Sequence, residues 1–421
     1  MNTDKHSFSR SAVFTSVFIC VHLWLNSLCF AQNYDKRWLS GIFYGEGANF
    51  GDFNKDGKND IVYGPYWWEG PDFSKRHAYS DDSKTSKIKK EDGSEETIPG
   101  FKGALSNDNE YSKNFIAFSH DINSDGWTDI IILGFPGEQS WWYENPKGKD
   151  EKWNQHVALD VTDNESPHFT DITGDGKPEI VCSSKGFWGY AEYDSKNPTA
   201  PWVWHNISPK GPWQRFTHGM GVGDVNGDRR LDILEKDGWW EQPASLAGDP
   251  VWKKNDAKWG NGGAQMFAYD VNGDGKNDII TSLAAHQYGV AWFEQTDDGG
   301  VPGWVQHVIV GAKPGEGETG IVFSQPHAMD LLDMNGDGLK DLVTGKRFWA
   351  HGPSGDADPN AAKVLWWFEL KREGGKGKWI AHLIDDQSGV GTQIVAGDVN
   401  GDKKPDVIVG NKVGAFVLLR K

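Results

Sequence analysis

Short apolar runs alternate with polar loops along nearly the whole chain, and one loop pattern recurs seven times. The loop reads Asp-x-Asn-x-Asp-Gly-x-x-Asp, with occasional substitutions, and an apolar run such as Ile-Val or Ile-Ile follows it directly. After the first 31 residues, no segment repeats its apolar positions every 3.6 residues, so the pattern favours β-strands over helices. The seven copies begin at Asp52, Asp121, Asp171, Asp224, Asp270, Asp333 and Asp398.

The residues around each loop give every repeat room for four strands. Successive copies begin 46 to 69 residues apart. An aromatic pair such as Trp67-Trp68 or Trp366-Trp367 follows most loops, and a segment with a recurring histidine, such as His156 or His307, lies further on. Because these aromatic and histidine positions recur, we expect them to be structural. Seven four-stranded repeats predict an all-β fold, a seven-bladed β-propeller with the aspartate loop in each blade.

The two ends of the mature chain are expected to close the ring of blades. Residues 414–421 supply a third strand for the last repeat, and residues 37–43 form an apolar segment without a partner near it in sequence. Pairing these two segments would complete the seventh blade and leave no open sheet edge. The prediction is a single domain over residues 32–421, with the polar segment 80–109 as a surface insertion. An open array of repeats is the alternative.

The first 31 residues are typical of a secretory signal peptide. Lys5 and Arg10 precede a mostly apolar stretch, and Ala31 ends a small-x-small cleavage site. We therefore expect export to the periplasm or the medium, with no membrane span after cleavage. An uncleaved N-terminal anchor is the alternative. Cleavage leaves Cys182 as the remaining cysteine, so no internal disulfide is expected.

The aspartate loops are predicted calcium sites. Positions 1, 3, 5 and 9 present oxygen ligands without Cys or His, which favours Ca²⁺ over Zn²⁺. The loops hold 21 carboxylates, which explains much of the formal net charge of −17. The alternative is a metal-free turn held by Asx hydrogen bonds, expected most where Thr173, Arg229 or Lys403 replaces the usual residue. The expected ligands are Asp52, Asn54, Asp56, Asp60, Asp121, Asn123, Asp125, Asp129, Asp171, Thr173, Asp175, Glu179, Asp224, Asn226, Asp228, Asp232, Asp270, Asn272, Asp274, Asp278, Asp333, Asn335, Asp337, Asp341, Asp398, Asn400, Asp402 and Asp406.

The repeated loops resemble those of the FG-GAP and VCBS-type repeat family, which includes the propeller head of integrin alpha subunits. The resemblance covers nearly the whole mature chain. It implies a seven-bladed propeller with calcium in the loops between the first and second strands of each blade. It implies no particular function, because this scaffold serves adhesion, glycan binding and catalysis alike.

The first strand of each blade should line the central channel, so residues six positions before each loop should meet at one end. Glu165, His218 and His327 occupy this register in sequence contexts that occur once each. Two imidazoles and one carboxylate suit a divalent transition metal such as Zn²⁺, Fe²⁺ or Mn²⁺. A hydrated polar channel without chemistry is the alternative.

Two sets of residues are expected around this end of the channel. The expected catalytic residues are Glu165, His168, Lys185, His218, Lys236, His327 and Lys346. The expected substrate-binding residues are Trp188, Trp213, Arg215, Gln265, His286, Arg347, Trp349 and His351. The three tryptophans lie outside the recurring aromatic register, which makes them candidates for stacking on a sugar ring.

The acidic balance argues against a nucleic acid or an anionic membrane as the partner. The expected partner is a carbohydrate substrate or a glycan ligand. The histidine segments are similar to exported propellers of the group that includes the propeller domain of aldos-2-ulose dehydratase, a metal-assisted sugar dehydratase. That resemblance implies a metal–histidine site at Glu165, His168, His218 and His327. The prediction is a monomeric carbohydrate lyase performing β-elimination on a keto-sugar or uronate, and the alternative is a non-catalytic calcium propeller that binds a glycan or protein.

Overall fold

The computed structural model describes residues 33–81, 84–90, 92–298 and 301–421. The predicted signal peptide lies outside these residues. The described chain consists of β-strands, a short 3-10 turn at Gly103–Leu105 and connecting loops. No helix in these ranges has the length and apolar character needed to cross a membrane. The all-β class expected from the alternating pattern is confirmed.

The strands form four-stranded antiparallel units, each with one aspartate loop between its first and second strands. Strand β1 (Tyr34–Ser40) precedes the first unit, which contains β2 (Ala48–Gly51), β3 (Asp60–Tyr63), β4 (Tyr66–Trp68) and β5 (Arg76–Ala78). A separate hairpin follows, with strands β6 (Thr85–Lys89) and β7 (Glu95–Pro99). The second and third units share β11 (Asn154–Thr170) and also contain β8 (Ile116–His120), β9 (Asp129–Leu133), β10 (Glu138–Glu144), β12 (Glu179–Ser184), β13 (Phe187–Glu192) and β14 (Val203–Asn206).

The remaining units repeat the same order of strands. The fourth unit contains β15 (Met220–Gly223), β16 (Asp232–Glu235), β17 (Gly238–Glu241) and β18 (Lys253–Asp256). The fifth contains β19 (Gln265–Tyr269), β20 (Asp278–Ser282), β21 (Val290–Asp298) and β22 (Val301–Val310). The sixth contains β23 (Met329–Leu332), β24 (Asp341–Gly345), β25 (Leu365–Glu373) and β26 (Lys376–Asp385). The seventh contains β27 (Ile394–Gly397), β28 (Asp406–Asn411) and β29 (Gly414–Arg420).

The two ends of the described chain meet in the seventh unit. Strand β1 pairs antiparallel with β29, with Tyr34 opposite Arg420 and Arg37 opposite Val417. This pairing supplies the fourth strand of the unit and covers the free edge of β29. The first strand of the seventh unit, β27, also lies against β2 of the first unit. The units therefore return to their starting point.

The hydrophobic core is divided among the contacts between neighbouring units. In the described residues seven buried clusters occur, and each joins residues of two adjacent units. Between the fifth and sixth units, for example, Ile280 and Trp292 pack with Leu342 and Phe368. Another of the seven clusters joins the seventh unit to the first, where Val417 packs with Ile61 and other buried side chains. Burial of apolar surface at every one of these contacts holds the units side by side.

In six of the seven aspartate loops, the buried ninth residue fastens the loop to the strand segment beside it; Glu179 of the third loop contacts its own loop alone. Asp341 accepts hydrogen bonds from the backbone N–H of Met334 at 2.9 Å and of Leu370 at 2.9 Å. Met334 lies in the loop and Leu370 on the third strand, so one carboxylate joins the two. The same double contact is made by Asp60, Asp129, Asp232, Asp278 and Asp406, each completely buried.

The recurring histidines of the outer strands are structural. His307 stacks on Trp292 with ring centroids 4.3 Å apart, and its Nε2 lies 2.8 Å from a carboxylate oxygen of Glu294. Glu294 in turn accepts a hydrogen bond from Asn272, the third residue of the aspartate loop. His382 makes the same stack and carboxylate contact in the sixth unit. The outer strand is thus connected to its own loop through side chains.

We expect Asp341→Ala to lower the free energy of unfolding by about 2–4 kcal/mol, because two buried backbone N–H groups would lose their acceptor. The measurement is denaturant unfolding followed by tryptophan fluorescence, with excess chelator present so that loss of a metal does not contribute. Asp386→Ala, at an exposed position, is the matched control and should change stability by less than about 0.5 kcal/mol. Equal effects of the two substitutions would contradict this role of the ninth residue.

Candidate functional site

A cluster of charged and imidazole side chains lies where the segments preceding several first strands converge. Glu165 comes from β11, His218 precedes β15 and His327 precedes β23. His286 lies in the connection from β20 to β21, and Arg347 follows β24. We call these residues, together with Glu46 before β2, the axial cluster. The structure therefore brings together the three residues that the sequence placed in one register, and adds a third histidine.

Glu165 is the centre of the cluster. Its Oε2 lies 3.2 Å from Nε2 of His327, and its Oε1 lies 3.5 Å from Nε2 of His218. Nη1 of Arg347 lies 3.6 Å from Oε2. Burial alone would raise the pKa of Glu165, but the contacts with His327, His218 and Arg347 outweigh it and hold the pKa well below its usual range. Glu165 is therefore a buried carboxylate that stays ionised.

Two histidines of the cluster face each other through the same ring nitrogen. Nε2 of His286 lies 3.0 Å from Nε2 of His218. Nδ1 of His218 lies 2.8 Å from the carbonyl oxygen of Phe216, so Nδ1 is the atom that carries a proton in neutral His218. Burial lowers the pKa of His327 to about 4 and lowers the pKa of His286 as well, with added repulsion from neighbouring cations. The buried imidazoles are accordingly neutral near pH 7.

Arg347 connects two carboxylates that are far apart in sequence. Its Nη2 donates a hydrogen bond to Oε2 of Glu46 at 2.6 Å, and both side chains are almost completely buried. Its Nε has no hydrogen-bond partner. Two lysines are further cations near Arg347. Nζ of Lys346 donates a hydrogen bond to Oγ of Ser324 at 2.7 Å, and Nζ of Lys412 donates one to the Ala350 carbonyl oxygen at 3.2 Å. Burial lowers the pKa of each lysine to about 8.

The cluster opens to solvent at His351. Nδ1 of His351 lies 2.8 Å from Oδ1 of Asp356, which also lies 3.5 Å from Nδ1 of His286. The His351 ring is 4.4 Å from the His286 ring, and 47% of its side chain is exposed. Tyr111, which lies just after the inserted segment 80–109, faces His351 with ring centroids 6.5 Å apart. His351 is thus an accessible imidazole held in place by a buried carboxylate.

Several residues expected at the site lie elsewhere or serve the fold. His168 is buried in a separate cavity of about 240 Å³, lined also by Gln265 and Gln393. Gln265 spans neighbouring units, donating to the Thr392 carbonyl and accepting from the N–H of Met329. Its amide is therefore already used between strands. The expected substrate-binding role of Gln265 stays a prediction.

The cationic residues expected at the site do not lie together in the structure. Lys236 pairs with the neighbouring Asp237, and Lys185 borders an outer cavity together with Trp204. Arg215 packs over Phe216 with 5.7 Å from guanidinium to ring centroid. Of the three expected lysines, Lys346 is the one that adjoins Arg347 of the axial cluster.

The three tryptophans expected to stack on a sugar differ in their surroundings. Trp188 is completely buried in the core between the third and fourth units, so it cannot serve as a platform. Trp213 packs between Trp188 and Trp240 and donates its indole N–H to Glu235. Trp349 is half-buried and stacked on Phe348. Sequence position alone did not separate core tryptophans from accessible ones.

Two residues of the site, Asp356 and Glu46, are missing from the expected catalytic and substrate-binding sets. Glu46 shares the register of Glu165 and His218, and its presence beside them was readable from the spacing. Asp356 lies in a Gly- and Asp-rich connection without a repeated motif. No sequence signal sets it apart from the exposed aspartates around it.

The aspartate loops have a conformation that suits a hard cation. In the first loop both oxygens of Asp52 and one of Asn54 accept backbone N–H groups of the loop, which turns the side chains inward. At position 6 Arg229 and Lys403 adopt the same positive φ, 71° and 68°, as Gly57 at 83°. In the third loop the carboxylates of Asp171, Asp175 and Glu179 lie within 4.8 Å of one another. The oxygen donors present therefore fit Ca²⁺.

Comparison with known proteins identifies the repeat. The FG-GAP-like repeat family matches residues 121–182 and 333–409, which begin at the second and sixth aspartate loops. The predicted FG-GAP-type repeats are thereby confirmed. A search of curated proteins gave no match.

Among solved structures, the chain is similar to the V. cholerae biofilm matrix protein Bap1, with 17% identity, a TM-score of 0.30 and coverage of 62% of this chain and 38% of that one. It is similar to the Photorhabdus luminescens Tc holotoxin pore, with 15% identity, a TM-score of 0.37 and coverage of 79% and 16%. It is also similar to the exotype rhamnogalacturonan lyase YesX, with 12% identity, a TM-score of 0.42 and coverage of 92% and 72%. The match spans less than two thirds of the first two proteins. At these TM-scores none of the three informs the function of this chain.

We expect His168 to make the fold sensitive to mild acid. Burial lowers the pKa of His168 to about 4, against about 6.5 in the unfolded chain. Between these values the unfolded chain binds more protons, so stability present above pH 6.5 is lost as the pH falls towards 4. The wild-type protein should lose about 2 kcal/mol more than His168→Gln between pH 7 and pH 5. The measurement is denaturant unfolding of both proteins with chelator present, and identical losses would contradict the prediction.

Proposed function

We propose that this protein is an exported, seven-bladed β-propeller that acts as a carbohydrate lyase, eliminating a sugar oxygen from a uronate or keto-sugar at the axial cluster. In this proposal the seven units are the blades, β1 completes the last blade, and segment 80–109 is a surface insertion of the first. The predicted signal peptide supports export, and we propose a monomer with a carbohydrate as its partner.

One observation carries the proposal. His351 is exposed, is oriented by Asp356, and lies against a buried cluster that contains Glu165, Arg347 and imidazole nitrogens without hydrogen-bond partners. A base held by a carboxylate beside a charged, desolvated pocket is the arrangement that general acid–base catalysis requires. Most polar residues that recur from repeat to repeat make structural contacts, whereas His351, Asp356 and the residues of the cluster occur once each.

The chemistry follows from the positions of these groups. The hydrogen on the carbon next to a carboxylate or ketone is weakly acidic, and positive charge near that carbonyl makes it more so. Nε2 of His351 would take this proton. A C=C bond then forms as the bond from the neighbouring carbon to oxygen breaks, and the imidazolium of His351 returns the proton to the departing oxygen. Atoms and charge balance without an oxidant or a reductant.

Cations near the cluster favour a substrate that gains negative charge in the reaction. Arg347, Lys346 and Lys412 are buried or nearly so, and the low pKa of the two lysines reflects the cost of burying their charge. Preorganised positive groups in a desolvated site stabilise a developing enolate more than water does. A uronate, which carries a carboxylate beside the acidic C–H, suits this environment.

We also propose calcium in the aspartate loops, held by the oxygens of positions 1, 3 and 5. The ninth residue, which the sequence also placed among the ligands, accepts backbone N–H groups with its carboxylate in every loop. These loops connect the first and second strands of the units, away from the ends at which the axial cluster forms. Calcium there would neutralise the repulsion among neighbouring carboxylates and so stabilise the fold.

Substitution of the proposed base should abolish elimination. We expect His351→Ala to lower turnover by at least about 100-fold, followed as ultraviolet absorbance of the unsaturated product on a panel of polyuronates and 1,5-anhydrofructose. His307→Ala, at an outer-strand histidine, should retain activity. A wild-type protein that binds these sugars without forming product would instead make it a binding module and refute the lyase.

Removal of calcium should lower thermal stability. We expect dialysis against a calcium chelator to lower the midpoint of thermal unfolding by several degrees, and Ca²⁺ alone to restore it. Asp121→Asn, at a first loop position, should lower the number of calcium ions bound per chain, measured by elemental analysis. An unchanged midpoint and no calcium in the untreated protein would show that the loops are metal-free turns.

A further inference from the structure

We propose that three imidazoles and one carboxylate of the axial cluster bind a single divalent transition-metal ion. The ligand atoms are Nε2 of His218, Nε2 of His286, Nε2 of His327 and a carboxylate oxygen of Glu165. The geometry of the site is independent of the reaction, but its use as the electrophile of the lyase rests on the proposed function. This assignment adds His286, which the sequence placed among substrate-binding residues, to the two histidines expected there.

The four side chains converge from four separate segments. One ligand atom from each of Glu165, His218, His286 and His327 lies within 4.8 Å of the other three. The three rings are mutually edge-on, with centroids 4.9 to 5.3 Å apart. Ligands that are all bonded to one ion at about 2.0–2.1 Å must lie this close together. The cluster therefore has the dimensions of a metal site before any ion is placed in it.

The outer nitrogen of one ligand is fixed by an acceptor. Nδ1 of His218 lies 2.8 Å from the Phe216 carbonyl oxygen. An acceptor at Nδ1 keeps the proton there and leaves the lone pair of Nε2 directed at the cluster, as in the usual second layer of protein metal sites. Nδ1 of His286 makes no hydrogen bond, but it faces Oδ1 of Asp356 at 3.5 Å. Asp356 therefore lies against His286 and is hydrogen-bonded to the proposed base His351.

The inner nitrogens face one another and a single carboxylate. Nε2 of His218 and Nε2 of His286 are 3.0 Å apart, where one ring can donate a proton and the other accept it. Nε2 of the completely buried His327 lies 3.2 Å from Oε2 of Glu165, yet neither ring nitrogen of His327 makes a hydrogen bond. A shared proton in the His218–His286 pair therefore leaves His327 unsatisfied. A cation bonded to the three Nε2 atoms and to a Glu165 oxygen would give each of these inner atoms a partner.

The donor set selects the class of metal. Three imidazoles and one carboxylate favour Zn²⁺, Co²⁺ or Fe²⁺ over Ca²⁺ and Mg²⁺, which take oxygen ligands. The axial site and the aspartate loops would therefore hold different metals in one chain. At the axial site the ion would lie beside His351, where a Lewis acid can polarise the carbonyl group whose neighbouring C–H is to be deprotonated.

The test uses Co²⁺ as a spectroscopic probe on the full mature protein. The protein is stripped with a strong chelator, refilled with Ca²⁺ and titrated with Co²⁺, and visible absorption and bound metal are recorded. We expect one Co²⁺ per chain with the intense visible bands of four-coordinate cobalt. His286→Ala and Glu165→Gln should lose these bands, whereas His307→Ala should retain them. Asp356→Asn should weaken Co²⁺ binding by about 10–100-fold.

The folding of each variant is checked by circular dichroism, and two ligand substitutions are used so that one misfolded variant does not decide the result. Bands that survive in folded His286→Ala or Glu165→Gln, or no stoichiometric Co²⁺ in the wild-type protein, would overturn the assignment. The readout needs no substrate, so it separates the two proposals. A metal-binding protein without lyase activity would refute only the proposed function, and a metal-free active lyase would refute only the metal site.

Discussion

The antiparallel pairing of β1 with β29 is the interaction on which the rest of the structure depends. It joins the two ends of the described chain, so that the last four-stranded unit can lie against the first. The consequence reaches the axial cluster directly, because Glu46 precedes the first unit and Arg347 belongs to the sixth. Their 2.6 Å contact spans 301 positions in sequence. A row of units that did not return to its start would leave both charges without a partner.

The pairing of the two chain ends also brings charged groups together in the interior, where their desolvation costs free energy. Arg347 is buried between Glu46 and Glu165, and either carboxylate alone would be expensive to desolvate. One cation is shared between the two anions, and the imidazoles of His327 and His286 stay neutral because burial lowers their pKa. Burial of apolar surface between the units offsets the free-energy cost of desolvating these charges. In the proposed function, the chemistry is carried by a few side chains at a place where the repeats differ.

Most of the repeat but only part of the site could be predicted from the sequence, because the two depend on different kinds of contact. Strands, loops and the register of Glu165, His218 and His327 depend on spacing within one repeat, and spacing is visible in sequence. Whether Trp188 is buried depends on the neighbouring unit, and the pairing of Asp356 with His351 depends on how an irregular connection folds. The ninth loop residue shows the same limit, since one of its backbone donors lies in the loop and the other on a strand distant in sequence.

The central proposal is that the axial cluster is a metal-bearing active centre rather than a hydrated polar channel. The most direct measurement is anomalous X-ray diffraction from crystals of the protein as purified, recorded on both sides of the zinc and iron absorption edges. The proposal predicts one anomalous peak within about 2.0–2.3 Å of the His218, His286 and His327 Nε2 atoms and of Glu165. A well-ordered cluster with no peak, or with water molecules hydrogen-bonded to those nitrogens, would contradict it.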